Sequence, residues 1–173
     1  MSFWRTYYHL IWATHGRHPW ITPAVEAQLF PYLVQRAAKL EVRVLAINGW
    51  IDHIHLVVAI PPKHAVAEVV KDLKGASARY LNAGAASPPA EPFAWQEGYG
   101  VLTMGEQQCG IAIAYVQRQK EHHAAQHTNR WLERSEADDD GPIPLGVAAA
   151  ANQRVVREES VPYRVTEDDD FPF

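Results

Sequence analysis

Residues 42–60 read Val-Arg-Val-Leu-Ala-Ile-Asn-Gly-Trp-Ile-Asp-His-Ile-His-Leu-Val-Val-Ala-Ile. Val42, Val44 and Ala46 alternate with polar or outward positions, Asn48-Gly49 is a strong turn signal, and an apolar run resumes at His53. The segment is therefore expected to be a hairpin of two antiparallel strands. Its second strand, residues 53–60, carries two imidazoles spaced by two, so His53 and His55 point to the same face. A strand this apolar has little reason to hold two polar rings on one face unless something binds them, because a buried imidazole without a partner costs free energy. The pair makes two-thirds of a metal site.

Toward the N-terminus, Tyr7-Tyr8-His9-Leu10-Ile11-Trp12-Ala13 reads as a strand ended by the Gly16/Pro19 region. Thr22 looks like an N-cap with Pro23 at the first helical position, and Val25, Leu29, Leu33, Ala37 and Leu40 recur at helical spacing. Toward the C-terminus, Pro61-Pro62 end the histidine strand. A second helix follows, with Val66, Val69, Val70, Leu73 and Ala76 on one face and Lys71, Lys74 and Arg79 on the outer face. Asn82 to Pro92, rich in Gly, Ala, Ser and Pro, reads as a flexible connection and a candidate hinge. Tyr99 to Met104 is then a short strand, and Glu106 to about Ala125 a third helix, weakened at Gly110.

The order β-α-β-β-α-β-α predicts an α+β fold. Its first six elements match the split βαβ, ferredoxin-like arrangement, an antiparallel four-stranded sheet with two helices on one face. The third helix is additional and can cover the opposite face. Residues 1–127 are read as one domain and residues 128–173 as an acidic, irregular extension without assigned fold.

Composition agrees with this division. The chain has 173 residues and 47% hydrophobic content, enough for one real core. Residues 1–130 hold 12 Lys+Arg against 9 Asp+Glu, and residues 131–173 hold 4 against 11, a mildly basic body with an acidic tail. Such a tail is a solvated solubiliser or an internal competitor for a basic surface. The single cysteine, Cys109, excludes an internal disulfide and a thiolate-rich zinc site, and reads as a packing residue in a reducing interior. Neither a secretion signal nor a membrane span is read, so a cytoplasmic location is expected.

On the third helix, Tyr115 and Gln119 are four apart and share a face, which His122 and His123 continue. If this helix packs across the histidine strand, Gln119 can give its carbonyl oxygen to a metal held by His53 and His55. Tyr115 then places its phenol beside the remaining open positions, and open positions belong to a catalytic metal. Two imidazoles and an amide oxygen suit Mg²⁺ or Mn²⁺, with zinc left open. His123 is an auxiliary candidate, although histidines near a helix C-terminus are also favoured by the macrodipole. Lys71, Lys74 and Arg79 read either as a solvated face or as phosphate contacts, as do Lys63, Arg5 and Arg17. Trp12, Trp50, Trp95 and Tyr99 are core residues or base-stacking platforms. Asp52 falls on the opposite strand face from His53 and is not counted as a ligand.

Five segments in this order resemble a known family. They are His53-Ile54-His55, Val70-Lys71-Asp72-Leu73-Lys74-Gly75, Trp95-Gln96-Glu97-Gly98-Tyr99-Gly100, Tyr115-Val116-Gln117-Arg118-Gln119 and the flanking Gln119-Lys120-Glu121-His122-His123. The chain resembles, over roughly residues 7–127, the small single-tyrosine transposases of the HUH endonuclease superfamily, the insertion-sequence-200-like and REP-associated groups. The resemblance implies a bacterial, nucleoid-associated homodimer that cleaves and rejoins single-stranded DNA at hairpin or palindromic ends. It implies a metal held by His53, His55 and Gln119, and attack by Tyr115 on the scissile phosphorus to give a 5′-phosphotyrosine and a free 3′-hydroxyl. Two other readings stay open: a nickase or replication initiator of the same superfamily, and a non-cleaving single-stranded nucleic-acid binding protein. A single candidate nucleophilic tyrosine, small size and no helicase-like region argue against the first, and the lack of an RNP-like aromatic strand against the second.

Overall fold

The computed structural model of the chain describes residues 3–84 and 91–126. Residues 85–90 of the expected hinge and the whole 128–173 extension lie outside the described residues. The elements are β1 (Tyr7–Ala13), α1 (Pro23–Lys39), β2 (Arg43–Gly49), β3 (His53–Ala59), α2 (Val66–Ala83), β4 (Gly100–Met104), α3 (Glu106–Gln117) and α4 (Gln119–Ala124). The four strands form one antiparallel sheet in the order β2-β3-β1-β4, the ferredoxin-like arrangement.

Two helical layers sandwich the sheet. One face carries Leu10, Trp12, Ile54, Leu56 and Val58 into a core with Leu29, Leu33 and Ala37 of α1 and Val69, Val70 and Leu73 of α2. The other carries Ala46, Val57 and Met104 against Cys109, Ala112 and Val116 of α3. All seven residues of β3 are buried for this reason. The additional helix thus covers the face that α1 and α2 leave open, as its position after the last strand predicted. Cys109 is a packing residue there, and burial pushes its thiol up.

Local signals set the ends of α1. Thr22 Oγ1 accepts from Val25 N at 3.3 Å, and Pro23 starts the helix where its missing N–H has no cost. Arg36 of α1 reaches Asp72 of α2 with two hydrogen bonds of 2.6 Å each, from Nε and Nη2. The hydrogen bond and charge of Arg36 hold the Asp72 carboxyl below its usual range against the opposing effect of burial. A carboxylate depressed in the folded state stabilises the fold above the unfolded value of about 4, and that contribution is lost as pH falls through the depressed folded value. Arg36→Gln should therefore lower the melting temperature at pH 7, and the difference from wild type should shrink steadily on acidification toward pH 3. A difference independent of pH would sink this account.

Three local expectations are corrected. Asn48-Gly49 is not the hairpin turn. β2 runs through Gly49, residues 50–52 make the connection, and Trp50 N donates to His53 O at 2.9 Å. The third helix is not continuous but breaks at Arg118, which has φ −92° and ψ 9°. Lys74 does not share the outer face of α2 with Lys71 and Arg79. It is only 9% exposed, and its ammonium donates to the carbonyls of Gln96, Glu97 and Gly98 at 2.6, 3.0 and 2.8 Å. With three hydrogens committed to three carbonyls, it ties α2 to the segment before β4, and burial pushes its pKa down. Two of the segments that carry the family resemblance, 70–75 and 95–100, are joined by this one side chain.

Candidate active site

His53 and His55 project from β3 toward α3 and α4, 3% and 0% exposed. Gln119, also fully buried, starts α4 directly after the break, with its amide nitrogen 3.0 Å from His55 Nε2 and 2.8 Å from His123 Nε2. His123 Nε2 in turn lies 3.1 Å from His53 Nε2. The ε-nitrogens of His55, Gln119, His123 and His53 thus follow one another in a chain of close contacts. Tyr115, on the last turn of α3, stands edge-on to His55 with ring centroids 6.4 Å apart and stacks on His122 at 4.8 Å. The structure brings His53, His55, Tyr115 and Gln119 together.

The break at Arg118 is part of how they meet. Asn48 Nδ2 donates to the carbonyl of Gln117 at 2.9 Å, and Asn48 lies opposite His55 in the β2–β3 register. The residue that reads as half of a turn signal instead anchors the end of α3 beside the strand of the histidines. His123 is held flat on Trp50, with centroids 5.1 Å apart and planes 9° from parallel. Lys120 pairs with Glu26 at 2.6 Å and ties α4 to α1.

Gly49 belongs to this scaffold through close approach rather than through a special backbone angle. A Cβ there would collide with the carbonyl oxygen of His53 and lie 3.1 Å from Ile54 Cα. Because both neighbours are backbone, the strand that carries His53 has to move. Gly49→Ala is expected to cost about 1–3 kcal/mol of unfolding free energy, measured by urea denaturation.

Strand alternation excludes Asp52 from the ligands of the site, but the structure gives it a supporting contact. It precedes β3, where alternation does not apply, and its Oδ1 accepts from His53 Nδ1 at 2.6 Å. Burial pushes the Asp52 carboxyl up, and the hydrogen bonds and charges of His53 and Arg17 more than offset this, leaving it below its usual range. Asp52 touches none of those ε-nitrogens; it orients the His53 ring and directs Nε2 inward. A sequence signal existed in its position next to the histidine pair.

The basic residues are distributed differently from the site. Arg5 pairs with Glu106, Arg17 with Asp52, Lys63 with Glu41 and Lys71 with Glu68, all on the surface except the half-buried Asp52. Trp12 is fully buried in the core, and Trp95 Nε1 donates to Ser77 Oγ at 3.0 Å.

The donor set fits a divalent ion. Two strand imidazoles and an amide that can present its carbonyl oxygen leave coordination positions open, and each imidazole meets a polar group at its δ-nitrogen. Among the described residues no group of three or more His, Cys, Asp and Glu side chains is arranged to hold a metal, so the Gln119 amide would have to serve. No helix among them is long and apolar enough to cross a membrane.

Known proteins resemble this chain in sequence and in fold. The family described as IS200-like transposase matches residues 2–119. The chain is 30% identical over 115 residues to the ISDra2 transposase TnpA of Deinococcus radiodurans, covering 65% of this chain and 82% of that one. A crystal structure from Deinococcus radiodurans R1, described as a candidate transposase, superposes with a TM-score of 0.55 at 27% identity, over 73% of this chain and 95% of that one. A REP-associated tyrosine transposase bound to a REP hairpin shares the fold, with a TM-score of 0.54 at 10% identity, over 74% of this chain and 76% of that one. The chain therefore belongs to the IS200-like transposase family and acts on DNA.

Proposed function

We propose that this protein is a metal-dependent transposase that cleaves and rejoins single-stranded DNA at hairpin or palindromic ends through a 5′-phosphotyrosine. The observation that carries the reading is the presence of Tyr115 beside His55 while Gln119 reaches the same histidine from the next helix. A nucleophile and a set of metal donors are thus within one small volume.

His53 and His55 would hold a divalent ion, Mg²⁺ or Mn²⁺, together with Gln119. A half-turn of the amide exchanges its nitrogen for the carbonyl oxygen a cation requires. His123, in contact with both Gln119 and His53, is the auxiliary residue that steadies the amide. A bound ion would supply Lewis-acid polarisation of the scissile phosphate. Tyr115 Oη forms the new bond to phosphorus, the bond from phosphorus to the 3′ oxygen breaks, and that oxygen leaves as the 3′-hydroxyl after taking a proton. The phosphodiester is conserved in the tyrosine linkage, so a 3′-hydroxyl from another strand can reverse the attack and join there.

A phenol with a pKa of about 10 has to lose its proton at neutral pH. His122 is not placed to take it. In a parallel stack the in-plane lone pairs of the imidazole do not point at the neighbouring ring, so His122 positions the phenol instead.

Residues 1–127 form the DNA-acting unit in this reading, working as a homodimer on the bacterial nucleoid. The hairpin bound by the REP-associated relative supports a hairpin substrate. Lys63, Lys71 and Arg79 would contact phosphates. The surface carboxylates Glu41 and Glu68 that pair with the two lysines are exposed enough for DNA to displace. The test is to incubate the protein with single-stranded hairpin DNA and Mn²⁺ and separate the products under denaturing conditions. A protein–DNA adduct with a free 3′ end is expected, and its transfer to a second strand distinguishes a transposase from a nickase. Binding without any adduct would overturn the enzymatic reading.

A further inference from the structure

His9 lies on β1 opposite Val57, which places its side chain on the same sheet face as His55. Both rings are fully buried. His9 Nε2 is 3.0 Å from His55 Nδ1, and the ring centroids are 5.1 Å apart.

The directions of these hydrogen bonds follow from the amide at the other end. Gln119 Nε2, an amide nitrogen, donates but cannot accept. At 3.0 Å in this arrangement it donates to the lone pair of His55 Nε2, and it is a cation on that same lone pair that would turn the amide to present its oxygen. The proton of the neutral His55 ring is then on Nδ1, aimed at His9 Nε2, which accepts it. His9 must carry its own proton on Nδ1.

We infer that His9 is a positioning residue that fixes His55 in the Nδ1–H tautomer and so keeps the Nε2 lone pair available to a divalent cation. The inference rests on the reading of His55 as a metal ligand. His53 and His55 are then oriented by different chemistry, a carboxylate behind one and a neutral imidazole behind the other. Two buried rings that merely satisfied each other would tolerate either tautomer.

The experiment uses the full chain with ¹⁵N-labelled histidine. Ring-nitrogen correlation spectra of the metal-free protein report the His55 tautomer, and calorimetric titration with Mn²⁺ reports affinity. The expected spectrum has His55 protonated at Nδ1. His9→Phe, which keeps a ring but removes the acceptor, should weaken Mn²⁺ binding about 10- to 100-fold, and His9→Gln, which restores an acceptor, should recover most of it. His55 protonated at Nε2 in the wild type, or wild-type Mn²⁺ affinity in a folded His9→Phe, overturns the inference. The wild-type spectrum decides the matter even where His9→Phe does not fold. A wild type that binds no Mn²⁺ while His55 is protonated at Nδ1 would count against the metal reading alone, leaving the tautomer assignment intact.

Discussion

Tyr115→Phe is expected to eliminate the covalent protein–DNA adduct while leaving binding to hairpin DNA intact. The substitution removes one oxygen and keeps the ring, so the stack on His122 and the edge contact with His55 are retained. Tyr115 is half-buried at the end of α3, and its loss of a hydroxyl opens no cavity in the core formed by Ala112 and Val116. What is lost is the atom that forms the bond to phosphorus. Removing a nucleophile lowers turnover on the order of 10⁴-fold or more, which a denaturing gel registers as a missing band. An adduct that persists in the variant at wild-type yield would refute the nucleophile assignment, and a variant that no longer binds DNA would show that the phenol recognises substrate.

The second large effect is expected from the histidines. His53→Ala and His55→Ala should each abolish cleavage, and chelation with EDTA should do the same to the wild type. If a bound ion contributes several kcal/mol to the transition state, its loss lowers the rate on the order of 10³-fold. The two variants should differ in stability. His53 is buried too, but its removal leaves Asp52 paired with Arg17 and His123 in contact with Gln119. His55 is fully buried between His9 and Gln119, so alanine there opens a cavity and removes one hydrogen-bond partner from each of them, at about 1–3 kcal/mol. His53→Ala is therefore the cleaner probe of chemistry. Cleavage that continues undiminished in EDTA would exclude a metal-assisted mechanism.

The legible parts of the fold were those specified by short-range pattern. Thr22-Pro23 marks the beginning of α1 because capping and proline placement involve only neighbouring residues. The two-residue spacing of His53 and His55 puts both rings on one face in any strand. The misread parts depended on partners distant in sequence. Asn48-Gly49 has turn chemistry, but the strand continues through it because Asn48 finds the Gln117 carbonyl and Gly49 lets the His53 backbone approach. Lys74 falls at the margin of the apolar stripe of α2, and only the segment arriving at residues 96–98 decides that it turns inward.

By itself, the sequence determined the order of the strands and of the first two helices and the shared face of the histidine pair, consequences of backbone periodicity. The tertiary structure decided that α3 and α4 meet at a break, that Asp52 and His9 stand behind the two histidines, and that His123 touches Gln119 and His53. Periodicity fixes the direction of a side chain relative to its own strand or helix. The register between β1 and β3 and the anchoring of a helix end follow from packing between segments far apart in the chain, and only that packing selects which side chains meet.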